Sequence, residues 1–199
     1  MTLVVSPSDP LRNAQDLFNL KNEIIEAYEN PRGKMQTFGM MAILHQPISE
    51  GELRLASRDP EAPPIIDPHY LSNDRDLKAI VSGIKTGIKL VQENRELTKW
   101  GPELAEGPVP GCARFKQWSD AYLECLVRHR TLTDFHPCST CRMGPDANTS
   151  VVDDQLRVHG VKNLRVIDAS IFPDHVSGNP NVPVMMIAER GADLIKLTP

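Results

Sequence analysis

Pro60, Pro63, Pro64 and Pro68, all within ten residues of one another, do more than any other feature to limit the folds open to this chain. Proline has no amide proton to give to a sheet ladder, and its ring collides with the preceding turn of a helix. The segment Asp59 to Pro68 therefore reads as an extended surface connection that neither helix nor strand crosses. On its amino-terminal side Thr37 to His45 reads as a strand, and Gly51 to Ser57 alternates like a second, half-buried one, which predicts an antiparallel sheet. On its other side Asp74 to Gln92 predicts a helix whose apolar stripe is Leu77, Ile80, Ile84, Ile88 and Leu90 or Val91. Another helix is expected from Arg114 to about Arg130, with Trp118, Tyr122, Leu123 and Leu126 on one side. An earlier one should run from Asp9 or Pro10 to about Glu29, before Asn30-Pro31-Arg32-Gly33 stops it. Strands and helices in blocks, without regular β-α-β alternation, imply an α+β arrangement up to about residue 135.

With 199 residues and 40% apolar content the chain can bury a packed core. Its net charge of -4, with signs interspersed, supplies no basic stripe for a phosphate backbone, so nucleic acid is not an expected partner. No apolar run approaches the roughly 18 residues of a membrane span, and the start MTLVVSPSDPLRN lacks the basic and apolar regions of an export signal. No membrane association is expected, and the compartment stays open. Four cysteines (Cys112, Cys125, Cys138, Cys141) are too few for a disulfide scaffold at this length. Cys138 and Cys141 have CxxC spacing, but His136 and His159 do not complete a convincing tetrahedral set, so no metal site is expected. These two read as small, mostly buried residues.

Residues His136 to Ile195 concentrate the chemistry. His136 precedes Pro137, which biases its backbone away from helix and leaves the side chain projecting from a loop. Imidazole titrates near neutrality with little tuning, which makes His136 a candidate general base. Leu164 to Ile167 reads as a short strand ending in Asp168-Ala169-Ser170; either its small residues let backbone amides approach a pyrophosphate, or an Asx turn simply closes the strand. Gly178-Asn179-Pro180-Asn181-Val182-Pro183 opens a helix starting near Asn181 to Pro183, with Val184, Ile187, Ala188, Gly191, Leu194 and Ile195 as its apolar face. The partial positive charge of that terminus could stabilise negative charge on a bound ring.

These pieces, in this order, resemble the carboxyl-terminal part of the glucose-methanol-choline (GMC) flavin oxidoreductases. The matching residues are His136-Pro137 with Thr140-Cys-Arg-Met-Gly144, Val151-Val-Asp153, Leu156-Arg-Val-His-Gly-Val161, Asn163-Leu-Arg-Val-Ile-Asp-Ala-Ser170, Gly178-Asn-Pro-Asn181, Met186-Ile-Ala-Glu189 and Ala192-Asp-Leu-Ile195. A weaker match runs upstream through Pro47-Ile-Ser, Gly51-Glu-Leu-Arg-Leu, Asp59-Pro and Ile66-Asp-Pro-His-Tyr-Leu71. The resemblance implies FAD as cofactor, a small-molecule alcohol as substrate, and oxidation by removal of the hydroxyl proton with hydride transfer to flavin N5. It implies that His136 is the base and that Asn179 hydrogen-bonds the developing alkoxide. It also implies that Asp168 and Ala169 approach the FAD pyrophosphate, while Asn181 and Val182 contact the isoalloxazine.

The fold it implies is α+β. An antiparallel-sheet substrate domain flanked by helices would occupy about residues 1–144. Residues 145–199 would supply the carboxyl-terminal strand and helix elements of an incomplete FAD-binding (Rossmann-like) domain. Two departures follow. Ser139 stands where the family usually has glycine, so a tight backbone position is altered. No two of the twelve glycines are spaced as GxG, so the GxGxxG fingerprint that seats the ADP moiety is not in this chain. The expected partner is an amino-terminal FAD-binding half, without which the chain should be inactive. The alternative is a standalone, non-enzymatic interaction domain that covers its exposed apolar surface by forming a homodimer.

Overall fold

The computed structural model describes residues 2–4, 21–24, 38–104 and 109–197, and the chain divides into two compact units. The class is α+β, with small antiparallel sheets, as expected.

The first unit comprises residues 1–44 and 70–134. Strand β1 (Thr2–Val4) pairs antiparallel with β2 (Gly39–Met41), Leu3 opposite Met40. The strand read over Thr37 to His45 is thus shorter than expected and takes its partner from the amino terminus. Of the helix expected between Asp9 and Glu29, all but residues 21–24 lies outside the described residues; residues 22–24 are helical and Ile24 is buried.

Helix α1 (Asp74–Glu93) matches its expected span, and Asn73 caps it by accepting the Arg75 N–H at 3.0 Å. Its buried line is Leu77, Val81, Gly87 and Val91, with Ile80 and Ile84 partly buried; Leu90 faces outward, which resolves the two residues left open there. Helix α2 (Arg95–Thr98) is a single turn capped by Asn94. Helix α3 (Asp120–Arg130) starts six residues later than the expected Arg114. Two local features cause this: Trp118 has φ +65°, outside helical space, and the Ser119 hydroxyl accepts the Tyr122 N–H at 3.3 Å. Trp118 still packs edge-on to Tyr122, with ring centroids 5.9 Å apart.

Helices α1 and α3 enclose a core of Leu77, Val81, Tyr122, Leu123 and Val127, joined by Val109 and Cys112. Ion pairs Lys85–Asp120 (2.6 Å) and Arg128–Asp74 (3.1 Å) flank it, too exposed to contribute much. A disulfide, not foreseen from the cysteine count, links Cys112 to Cys125.

The second unit comprises residues 45–69 and 135–199. Here the proline segment corrects the expectation drawn from it: β4 (Ile65–Asp67) pairs antiparallel with β3 (Glu52–Arg54), Leu53 opposite Ile66. Proline forbids a ladder at its own position, but the three residues between Pro64 and Pro68 keep their amides. The hairpin is exposed on both faces, so β3 is not the half-buried strand that its alternation suggested.

Leu164 to Ile167 does not form a strand. Pairing is limited to the Arg157–Arg165 bridge, with Val158 N–H to the Leu164 carbonyl at 3.0 Å and Val166 N–H to the Leu156 carbonyl at 3.1 Å. Leu156 (φ +62°) and Asn163 (φ +59°) turn the chain on either side and end the ladder. After a short 3-10 turn (Ala169–Ile171), helix α4 (Asn181–Leu197) begins where expected and buries Ile187, Gly191 and Leu194. These pack with Val152, Leu156, Ile171 and Phe172 in the unit's core. Among the described residues no helix is long and apolar enough to cross a membrane.

Candidate functional site

The second unit sets the segment after His136 beside the Asp168 turn through backbone hydrogen bonds, and the middle of α4 against the residue before that turn. The segment following His136 runs beside the 3-10 turn: Ser139 N–H donates to the Ala169 carbonyl (3.3 Å), Cys141 N–H to Ser170 (2.9 Å) and Met143 N–H to Ile171 (2.9 Å). Helix α4 closes on the same stretch through Gly191, where a Cβ would lie 2.5 Å from Ile167 Cγ2. The absence of a side chain at Gly191 is what lets α4 approach the residue before Asp168 so closely.

His136 follows Phe135, whose φ is +58°, and is half-buried. Its ring faces that of His175, with centroids 5.9 Å apart and planes tilted by 35°; His175 in turn stacks at 6.4 Å on His45. The His175 Nδ1–H donates to the Val176 carbonyl at 2.6 Å, which fixes the orientation of the ring. Neither His175 nor His45 was foreseen from the sequence, and no spacing in the chain signals this row of three rings.

Asp168 is exposed, and its carboxylate is engaged locally: Oδ1 accepts the Ser170 N–H at 2.8 Å and the Ser170 hydroxyl at 2.5 Å. This is the Asx-type closure that the sequence left open beside a ligand-facing role. Asn179, Asn181 and Val182 are exposed and Ala169 is half-buried. At the α4 entrance the Val184 N–H donates to the Pro180 carbonyl (2.9 Å), so the amides of Asn181 and Val182 precede the helical ladder. No acidic residue stands in the first turn to neutralise the helix end.

Around this centre Arg142 bonds Glu50 at 2.9 Å, tying the residue 45–69 segment to the carboxyl-terminal one; hydrogen bonding to Glu50 and the attraction of its charge raise the Arg142 pKa further above its ordinary range. Ser139 has φ +69°, so the position at which glycine was expected does require left-handed backbone. Cys138 and Cys141 are free thiols, half-buried rather than mostly buried.

A family profile described as GMC oxidoreductase matches residues 47–188. Glucose dehydrogenase [FAD, quinone] of Drosophila pseudoobscura pseudoobscura is 45% identical over 151 residues, covering 75% of this chain and 24% of that protein. Human mitochondrial choline dehydrogenase is 41% identical, covering 76% of this chain and 24% of its own length. Among solved structures, pyridoxine 4-oxidase from Mesorbium loti superposes with a TM-score of 0.63 at 32% identity, covering 75% of this chain and 28% of that one. The chain thus spans about a quarter of the length of the curated relatives it matches.

Proposed function

The chain belongs to the GMC oxidoreductase family, and from that premise we propose that it is the carboxyl-terminal part of an FAD-dependent enzyme that oxidises the CH–OH group of a small alcohol. In this reading residues 1–144 supply the substrate side and residues 145–199 complete a Rossmann-like FAD domain. The convergence of three segments in one unit supports it most directly: the residues after His136 bond the turn that begins at Asp168, and α4 packs on the residue before it.

The donor set fits the cofactor. A helix end with no acidic residue in its first turn suits the negative charge of a reduced ring, and the exposed Val182 (69%) offers it an apolar contact. Asn181 and Val182 would hold the isoalloxazine edge, and Asp168 with Ala169 would lie along the pyrophosphate. When bound, FAD supplies a hydride acceptor at N5. His136 takes the hydroxyl proton, which loosens the hydride on the adjoining carbon. Asn179 donates a hydrogen bond to the oxygen as its charge grows.

Nucleotide seating requires the GxGxxG chemistry that these 199 residues lack. The chain alone is therefore expected to be colourless and inactive, and co-expression with a fingerprint-bearing amino-terminal half should restore a yellow, alcohol-oxidising species. In that species His136→Ala should lower alcohol-dependent flavin reduction by at least about a hundredfold. Full activity in the variant would remove His136 from the role of base.

A second reading, a standalone interaction domain, draws support from the exposed Val182, Met185 and Met186 on α4. A stable dimer that takes up no flavin even with the complementing half present would favour it.

A further inference from the structure

The Cys112–Cys125 disulfide belongs to the first unit and takes no part in the reading above, yet a histidine is set against both of its sulfurs. Cys125 and His129 are four residues apart on α3, so one helical turn brings them to the same face. His129 Nδ1 lies 3.7 Å from the Cys112 sulfur and 3.7 Å from the Cys125 sulfur, and donates to the Cys125 carbonyl at 2.8 Å. The other edge of the ring rests on Gly111: a Cβ there would lie 2.8 Å from Nε2, and φ at Gly111 is +85°. Glycine is thus required twice over, and the turn it makes holds the imidazole against the disulfide.

The two sulfurs are unequal. Cys112 is fully buried among Val109, Leu123 and Val127, whereas Cys125 is half-buried and His129 is exposed. An incoming thiolate can therefore reach Cys125 far more readily than Cys112. The sulfur that leaves is then the buried one, and a thiolate left in apolar surroundings is unfavourable unless it is protonated as it forms. The Nδ1–H, held on the Cys125 carbonyl at 2.8 Å with the Cys112 sulfur 3.7 Å from the same nitrogen, is placed to pass to that sulfur as the S–S bond opens.

We propose that Cys112, Cys125 and His129 form a thiol–disulfide exchange site for small dithiol reductants. One thiolate of the reductant attacks the Cys125 sulfur; a reductant–Cys125 disulfide forms, the Cys112–Cys125 bond breaks, and its electron pair passes to Cys112. Cys112 takes the proton from His129 Nδ1, while the exposed ring regains one from solvent at Nε2. The reductant's second thiolate then displaces Cys125, which leaves as a thiolate and takes a proton from solvent, so that two protein thiols and an oxidised cyclic reductant remain. The released Cys125 thiol has the Gly111 carbonyl, 3.8 Å from its sulfur, as a local acceptor. Exchange unties the residue 109–112 turn from α3 while leaving the helix's own hydrogen bonds in place.

The test uses the full 199-residue chain and dithiothreitol without denaturant, with acid quenching, alkylation and peptide mass analysis to separate Cys112 and Cys125 from the free Cys138 and Cys141. The wild-type disulfide should open while circular dichroism stays native. His129→Gln, which cannot pass a proton, should slow opening by about a hundredfold, the low side of what a positioned acid contributes. In a second measurement on the wild type, a monothiol such as glutathione should be trapped on Cys125. Opening that needs urea, equal rates in His129→Gln, or an adduct on Cys112 would each overturn the proposal. The glutathione measurement stands even if the variant fails to fold, and none of these readouts depends on flavin.

Discussion

At Gly191 a hydrogen atom decides whether the last helix can reach the candidate site. An added Cβ would fall 2.5 Å from Ile167 Cγ2 and 2.8 Å from its Cδ1, so Gly191→Ala must shift the Ile167 side chain, α4 or the segment leading to Asp168. Overpacking of this kind destabilises by about 1–3 kcal/mol. A lowered urea midpoint is the expected result, and an unchanged one would mean that the two segments do not meet. Single residues were unevenly legible in the sequence. Ser139 was marked because a family position usually held by glycine carried something larger, and its φ of +69° bears out the tight backbone there. The pairing of Cys125 with His129 could have been found, since a four-residue spacing on an expected helix puts two side chains together. His175 had no such signal: its meeting with His136 depends on how two loops fold over one core.

Elements whose causes are local were read well, and those that depend on distant partners were not. Helix α1 carries its own stripe and cap, so its span could be stated to within a residue. The start of α3 was misplaced because Trp118, though apolar and correctly phased, sits in left-handed backbone before a capping serine. Strand β4 and the missing strand at 164–167 were misjudged for a shared reason: pairing is settled by the facing segment, which periodicity does not reveal. Residues 142–166 are instead organised by side chains such as Asp153. Burial works against the charge on Asp153, but hydrogen bonds from the Arg157 and Gln155 amides (2.9 Å each) and from the Arg157 guanidinium (2.9 Å) outweigh it and hold the carboxyl below its ordinary value. A folded pKa below the unfolded one stabilises above the unfolded value, about 3.9, and that stabilisation is lost as pH falls through the folded value. Urea midpoints measured from neutral pH into acid should therefore drop below about pH 4, and drop less steeply in Asp153→Asn. Parallel profiles would show that the Asp153 bonds are matched in the unfolded chain.

For the whole molecule the governing fact is a helix finished on one side only. Helix α4 buries Ile187, Gly191 and Leu194, while Val182, Met185 and Met186 on its first two turns stand 69%, 51% and 64% exposed. Such a group of apolar side chains at the entrance of a helix is costly to leave in water. The chain accounts for only about a quarter of the length of its curated relatives, and in the reading proposed above the amino-terminal FAD-binding half would be the cover. We therefore expect the isolated chain to self-associate with rising concentration in sedimentation velocity, and Met186→Glu to shift it toward monomer. On that reading, co-expression with a GxGxxG-bearing half should replace self-association by a one-to-one complex, because both partners would cover the same turns of α4. If the complex forms and self-association persists within it, the two surfaces are separate and the apolar turns of α4 belong to neither the flavin domain nor the site it completes.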